Sequence, residues 1–238
     1  LKNNTLKQIN LFFKKQNMKK KSLNAKKIIH NKLLSYLKNP SINKIYKEFI
    51  NFNKFNLVKS GFSVAISGGS DSLALAYFSK CFSISNNIKV KYYHVDHKLR
   101  KESFLEAKKL KNLLKGFDMS CNILKWEGKK PRSNIQSEAR KKRYNLIYKQ
   151  CLKDKINFIL VAHHIDDLYE NFVIRLLRGS GLKGLVSFSQ SNSSYNEKLK
   201  ILRPLIGYTK KDLEFVTNKV YKFKFKDPSN TNVNFKRV

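Results

Sequence analysis

Cysteines, acidic residues and long apolar runs are all scarce in this chain of 238 residues. The three cysteines, Cys81, Cys121 and Cys151, are widely spaced, so neither a disulfide framework, a zinc ribbon nor an iron–sulfur cluster is expected. No apolar run reaches the roughly 18 residues that a membrane span needs. These absences predict a protein of a reducing compartment, the cytoplasm, with no membrane partner.

The scarcity of acids leaves a large positive charge. Sixteen Asp and Glu residues face 50 Lys and Arg residues, which gives a formal net charge of +34 and favours a polyanionic partner such as nucleic acid. Lysine bias explains part of this charge, because 42 of the 50 basic residues are Lys. The arginines are more informative, since a chain that drifts toward Lys keeps Arg where a planar, bidentate donor is needed. None lies in the first 99 residues.

The first 57 residues are interpreted as a Lys-rich extension that precedes a catalytic domain at 58–238. Residues 1–47 contain 13 Lys and no acid, with apolar residues at a loosely helical spacing and a break at Asn39–Ser41. The segment is either an arm that contacts RNA or a solvated, partly helical extension. The chain begins with Leu, and Met18 is a plausible alternative start, so the first 17 residues need not be native.

Beyond residue 58 short apolar segments alternate with helical patterns. This alternation predicts an α/β fold with a doubly wound parallel sheet. Residues 189–198 are polar and are expected to form a mobile loop. The predicted strands are 62–66, 88–95, 120–126, 158–162 and 201–202, and the predicted helices are 73–82, 102–115, 135–152, a segment ending near 177, and 209–222.

The sequence SGGSDS at 67–72 connects the first strand to the first helix of this pattern. Gly68 and Gly69 allow the backbone to bend sharply and to approach a ligand closely. The N–H groups of the bend and of the helix start can then converge on an anion, with hydroxyl donors from Ser67, Ser70 and Ser72. The alternative is a plain Ser/Gly turn in which Asp71 caps the helix.

Acidic residues follow the fourth predicted strand in the segment HHIDDLYE. Asp166 and Glu170 are four residues apart and Asp167 and Glu170 three apart, so they share a helix face. Carboxylates at the ligand-binding end of a sheet suit Mg²⁺ or another cationic group. The alternative is that acids at a helix N-terminus simply favour its dipole.

Histidines also cluster at the predicted strand ends. His94, His97, His163 and His164 form two near pairs, but no flanking cysteine pattern supports zinc. A role as a general base for His163 or His164 is a hypothesis, and the alternative is a packed histidine at a strand end.

Five arginines are candidates for contacts with phosphate or with bases. Arg140 and Arg143 are three apart on the long basic helix, and Arg175 and Arg178 have the same spacing before a glycine-rich turn. Arg100 follows the second strand. The alternative for all five is a solvated basic surface.

The SGGSDS segment resembles the PP-loop motif of the ATP pyrophosphatases, enzymes that cleave ATP between the α- and β-phosphates. Other segments narrow this resemblance to the tRNA(Ile)-lysidine synthetases, over residues 62–237. They are HVDHKLR (94–100), NIQSEARKKRY (134–144), AHHIDDLYEN (162–171), RLLRGSGLKGL (175–185), RPL (203–205) and DPSN (227–230).

The resemblance implies a PP-loop, adenine nucleotide alpha-hydrolase-like fold and a specific reaction. ATP adenylates O2 of cytidine 34 in the isoleucine tRNA with a CAU anticodon, and free L-lysine then displaces AMP to form lysidine, so that the tRNA reads AUA instead of AUG. ATP and Mg²⁺ are the implied cofactors, and Asp166 and Asp167 the implied Mg²⁺ ligands. The implied ATP cradle is Ser67, Gly68, Gly69, Ser70, Asp71 and Ser72. The implied catalytic residues are Asp71, His163, Asp166, Asp167, Glu170 and Arg175. The implied tRNA contacts are Arg100, Arg140, Arg143 and Arg178.

Two alternatives stay open at this point. One is another PP-loop enzyme, such as a tRNA thiolase, and the other is an RNA-binding protein that keeps the fold without catalysis. Lys98 stands where the family usually has Gly, and the smaller C-terminal tRNA-binding domains of many members are not in this sequence. The sequence gives no indication of the oligomeric state.

Overall fold

The fold is taken from a computed structural model of the chain. It describes residues 22–56, 61–98, 102–128, 135–177, 192–196 and 199–222. None of the helices in these ranges is both long and apolar enough to cross a membrane.

The centre of the fold is a sheet of six strands, β1 (Phe62–Ile66), β2 (Val90–Asp96), β3 (Cys121–Lys125), β4 (Phe158–Leu160), β5 (Asn192–Asn196) and β6 (Leu199–Leu202). Their order across the sheet is β3-β2-β1-β4-β6-β5. Five strands are parallel, which confirms the predicted α/β fold with a parallel sheet. The sixth strand, β5, pairs antiparallel with β6, so the expectation of a loop over 189–198 is wrong for residues 192–196.

Helices cover both faces of the sheet, as the alternating pattern predicts. One hydrophobic core joins the helices that contain Leu33, Phe49, Phe78, Leu110 and Val216 to one face of the sheet. A second, smaller core joins the helix that contains Ile147 to the other face. The helices are α1 (22–35), α2 (Pro40–Asn56), α3 (Ser70–Asn86), α4 (Ser103–Gly116), α5 (Ile135–Lys153), α6 (Ile165–Leu177) and α7 (Lys210–Tyr221).

The helix α2 packs into the larger core, although it lies in the segment that the sequence suggests is an extension. Ile42, Ile45, Tyr46 and Phe49 repeat at helical spacing and are all buried, with Phe49 stacked against Phe78 of α3. The preceding break is present, because Asn39 Oδ1 accepts from the main-chain N–H groups of the first turn of α2. Residues 40–56 are therefore packed against the domain and do not form a solvated arm. The boundary at 57/58 stays a prediction.

The strand order places a ligand-binding crevice at a defined point. Strand β1 lies between β2 and β4, so the chain winds to one side of β1 through β2 and β3 and then crosses to its other side. In open α/β sheets, ligands bind outside the carboxyl ends of strands at such a reversal. The SGGSDS loop (Ser67–Ser72) follows β1, and the segment from His163 to Asp167 follows β4. Both predicted motifs thus meet at the reversal.

Candidate active site

The SGGSDS loop is closed by one hydroxyl group, that of Ser72. Ser72 Oγ accepts from the N–H of Ser67 at 3.2 Å, from the N–H of Gly68 at 3.1 Å and from Ser67 Oγ at 3.1 Å. The same oxygen donates to the carbonyl oxygen of Gly69 at 2.9 Å. Gly68 has φ of 100°, a conformation that L residues rarely adopt, so a glycine is needed at this bend. The loop is therefore shaped before any ligand arrives.

The start of α3 leaves main-chain donors at the mouth of this loop. Gly69 is the N-cap residue and has no side chain with which to cap, and Leu73 N–H makes the first bond of the helix to Gly69 O at 3.1 Å. The N–H groups of the first helical turn have no acceptor within the helix. Together with the helix dipole, they suit an anion such as phosphate. Asp71 is the second helical residue, so the alternative in which it caps the helix is wrong.

Asp71 meets α6 through His164. His164 is 7% exposed, and its Nε2 lies 3.6 Å from Asp71 Oδ2 and 3.6 Å from Asp167 Oδ2. The N–H of Asp167 donates to His164 Nδ1 at 3.3 Å. Burial raises the pKa of Asp71, an effect that the charge of His164 opposes and that of Asp167 reinforces. The site therefore brings two carboxylates close to the anion-binding loop.

Asp166 contacts α7 as well as His164, whose Nδ1 lies 3.8 Å from Asp166 Oδ2. The same Oδ2 accepts from the N–H of Lys210 at 2.7 Å, next to the capping box that Thr209 and Asp212 form at the start of α7. The side chain of Asp166 is half exposed. Asp166 thus ties α6 to α7, while Asp167 faces the loop. Glu170 lies one turn further along α6, at an exposed position.

Mg²⁺ was expected at Asp166 and Asp167. Within the part of the chain that the structure describes, no three His, Cys, Asp or Glu side chains are grouped as a protein-only metal site. Within the same described residues, His94, His97, His163 and His164 do not form such a group either. Asp71 and Asp167, both near His164 Nε2, suit a Mg²⁺ ion better, because this ion usually takes one or two carboxylates and completes its shell with phosphates and water.

A second group of side chains lies beside the loop and combines arginines with histidines. Arg203, 8% exposed, donates from Nε to His163 Nδ1 at 2.9 Å. Arg143 of α5 donates from Nε to His97 Nε2 at 3.2 Å, and Arg140 packs its guanidinium over the Tyr144 ring. Burial and the neighbouring arginines lower the pKa of His163 to about 3. The three arginines make this group of side chains positively charged, which complements a ligand that carries phosphate.

The remaining predicted site residues lie outside these contacts. Arg100 and Arg178 lie outside the described residues, and Arg175 belongs to α6, although its side chain lies outside them too. One functional candidate, Arg203, was given no role by the sequence prediction. It could have been found because it is one of only eight arginines in a Lys-rich chain.

Comparison with known proteins identifies the class of this site. A family model described as the PP-loop domain matches residues 38–238. The chain belongs to the PP-loop domain family, as its motifs indicate.

Individual proteins with sequences similar to this chain are tRNA(Ile)-lysidine synthases. A tRNA(Ile)-lysidine synthase of Rickettsia rickettsii (strain Sheila Smith) is 36% identical over 197 residues, which cover 81% of this chain and 40% of that protein. One of Orientia tsutsugamushi (strain Boryong) is 37% identical over 177 residues, 74% of this chain and 39% of that protein. The chain spans about two fifths of the length of these relatives.

A solved structure supports the fold. A U34-tRNA thiolase from Methanococcus maripaludis superposes with a TM-score of 0.67 at 14% identity, over 83% of this chain and 69% of that one.

Proposed function

We propose that this chain carries the catalytic domain of a tRNA(Ile)-lysidine synthase. The site binds ATP at the SGGSDS loop and adenylates O2 of cytidine 34 in the isoleucine tRNA with a CAU anticodon. Pyrophosphate leaves, the ε-amine of free L-lysine attacks C2, and the C2–O2 bond breaks as AMP departs with the oxygen. The cytoplasm, where tRNA is modified, is the compartment.

The observation that carries this proposal is the meeting of the SGGSDS loop with the carboxylates of α6. Uncapped helical N–H groups at α3 suit the nucleotide phosphates, and Asp71 and Asp167 flank His164 at 3.6 Å from its Nε2. Adenyl transfer needs both a phosphate cradle and charge compensation at one place. Mg²⁺ held by Asp71 and Asp167 would neutralise phosphate charge. Asp166, engaged with α7, is left out of this assignment.

The thiolase alternative receives no support from the cysteines. All three are buried and unpaired, and burial raises the pKa of the thiols of Cys81 and Cys121 to about 12 and of Cys151 to about 11. A thiol with a raised pKa is a poor nucleophile and a poor metal ligand. Cys121 is also the first residue of β3, so it lies at the amino-terminal end of the parallel strands, and the site lies at their carboxyl-terminal end.

The test is incubation of the chain with ATP, radiolabelled lysine and tRNA transcripts. We expect label in the transcript with the CAU anticodon, none in a matched transcript with uridine at position 34, and one AMP released per lysine incorporated. Asp71→Asn should abolish incorporation, and Ser79→Ala, on the same helix but away from the loop, should not. Incorporation that ignores the base at position 34, or ATP–pyrophosphate exchange without tRNA, would reject the proposal.

The Lys-rich N-terminus is a further candidate for holding tRNA. Deleting all of residues 1–57 would remove the buried side chains of α2, so a shorter deletion is the sound test. Removal of residues 1–21, which contain seven of the lysines, should weaken tRNA binding and flatten its dependence on salt. Unchanged affinity and salt dependence would exclude this role.

A further inference from the structure

Two hydrogen bonds from an arginine to a histidine lie beside the SGGSDS loop. Arg203 Nε lies 2.9 Å from His163 Nδ1, and Arg143 Nε lies 3.2 Å from His97 Nε2. A guanidinium group can only donate, so the histidine nitrogen that it contacts is an acceptor and carries no proton. The contacts therefore set opposite tautomers, with the proton on Nε2 in His163 and on Nδ1 in His97.

The sheet brings Arg203 to His163 by register. Leu160 of β4 pairs with Leu202 of β6, and Val161 N–H donates to Leu202 O at 2.9 Å. His163, which follows β4, and Arg203, which follows β6, therefore lie at the same end of the sheet. Since Arg203 is almost fully buried, its guanidinium is held in one place.

The surroundings keep His163 neutral. Burial is the largest cause, and the charges of Arg203, Arg140, His164 and Arg143 add to it, so that the pKa falls to about 3. A neutral ring whose Nδ1 already accepts a hydrogen bond has one remaining function, donation from Nε2.

We propose that Arg203 is a positioning residue that fixes His163 as an Nε2–H donor toward the nucleotide phosphates, and that His163 is not the base for the lysine amine. This inference rests on the proposed function. It departs from the hypothesis of His163 as a base, because the lone pair a base needs is occupied by Arg203. The proton of the attacking amine then passes to a carboxylate of α6.

The tautomer can be measured without any reaction. In protein labelled with ¹⁵N-histidine, long-range ¹H–¹⁵N correlation at neutral pH distinguishes the two nitrogens, and His163→Gln assigns the signal. We expect Nε2–H in His163 and Nδ1–H in His94, the internal control, whose Nδ1 lies 2.9 Å from the carbonyl oxygen of Ile66. Arg203→Met should disturb the His163 signals and leave those of His94 unchanged. An Nδ1–H form of His163 in the unmodified protein overturns the proposal.

The donor role has its own measurement. Addition of a non-hydrolysable ATP analogue should shift the Nε2–H signal of His163 more than any signal of His94. Absence of that shift, with binding verified by calorimetry, overturns the donor role even if the tautomer is correct. Because neither measurement requires lysidine formation, they separate a failure of this inference from a failure of the proposed function.

Activity gives the third measurement. Arg203→Met should lower kcat by at least about tenfold with little change in KM for lysine, as is usual when the partner that orients a functional histidine is removed. Arg203→Lys should recover part of the rate and serves as the variant of choice if Arg203→Met does not fold. Equal rates for all three proteins contradict a positioning role.

Discussion

Ser67 and Ser72 are joined across the bend of the loop, with Ser67 Oγ donating to Ser72 Oγ at 3.1 Å. The N–H of Ser67 contacts the same oxygen at 3.2 Å. The last residue of the SGGSDS loop thus holds the first. Ser72, at the end of the motif, therefore has a structural role that is independent of any contact with phosphate.

Ser72→Ala should therefore damage both the loop and its ligand affinity. We expect a loss of about 1–3 kcal/mol in the free energy of unfolding, because buried N–H groups lose their acceptor, and at least about a tenfold loss of affinity for an ATP analogue. The control is Ser79→Ala, because Ser79 Oγ is fully buried on the same helix and has no hydrogen-bond partner within the described residues. Urea unfolding and calorimetry make the comparison, and equal effects of both substitutions contradict it.

The two glycines of the loop should respond differently to alanine. Gly69 has φ of −73°, and an added Cβ would lie 3.7 Å from Ser67 Oγ, an ordinary contact. Gly69→Ala should leave the free energy of unfolding within about 0.5 kcal/mol, yet reduce nucleotide affinity because the methyl group obstructs close approach of phosphate.

Gly68→Ala is the matched comparison. Its φ of 100° makes any side chain strained, so it should cost roughly 1–3 kcal/mol of stability. Urea unfolding and calorimetry on both variants test the pair. Unchanged ATP affinity in Gly69→Ala would mean that the loop does not approach the ligand.

Local signals were sufficient for much of this fold. The SGGSDS loop and its flanking strand and helix were predictable because glycine conformation, alternation and helix starts depend on neighbouring residues. The parallel sheet followed from the strand–helix alternation. The strand β5 was missed because Asn192–Asn196 is polar, and its pairing depends on the partner strand β6.

Long-range contacts lie beyond what a local pattern can predict. Asp166 was predicted to hold Mg²⁺ with Asp167, and its carboxylate also accepts from the N–H of Lys210, 44 residues later. Arg203 was left out of the predicted site although it reaches His163 from 40 residues away. Neither contact is encoded in a local spacing, and each depends on how strands and helices meet.

Asp166 and Asp167 should be separable by substitution. Asp166→Ala removes the acceptor of the Lys210 N–H but leaves the capping box of Thr209 and Asp212 at the start of α7, and it should cost about 0.5–1.5 kcal/mol of stability with a moderate effect on kcat. Asp167→Ala should lower kcat strongly and the free energy of unfolding only slightly, since Asp167 Oδ2 lies 3.6 Å from His164 Nε2 beside the loop. Urea unfolding and the lysine-incorporation assay measure the two effects. A loss of activity confined to Asp166→Ala would reverse this assignment.

Lys98 occupies a backbone conformation that favours glycine. Its φ is 50°, and its N–H donates to Asp96 Oδ1 at 2.9 Å. Lys98→Gly should stabilise the protein by a few tenths to about 1 kcal/mol, because relief of left-handed strain exceeds the extra entropy of an unfolded glycine. Lys115→Gly, in the last turn of α4, is the control and should destabilise by up to about 1 kcal/mol. The same sign for both changes contradicts the prediction.

Stability should fall on mild acidification because of His163. Its pKa in the folded protein is about 3 against a normal value of 6.5, so between these values the unfolded chain binds a proton that the folded chain does not. The free energy of unfolding therefore rises with pH through this window and is fully regained above about pH 6.5, with a slope of up to about 1.4 kcal/mol per pH unit.

His163→Gln should flatten the pH dependence between pH 5 and 7, a range chosen to lie above most carboxylate titrations. Part of the slope should persist, because burial also lowers the pKa of His94. Arg203→Met should reduce the slope less than His163→Gln, since burial remains the largest cause of the shift and Arg140, Arg143 and His164 still oppose protonation. Urea unfolding at several pH values measures all three proteins. An identical slope in His163→Gln and the unmodified chain would show that His163 does not stay neutral in the folded state.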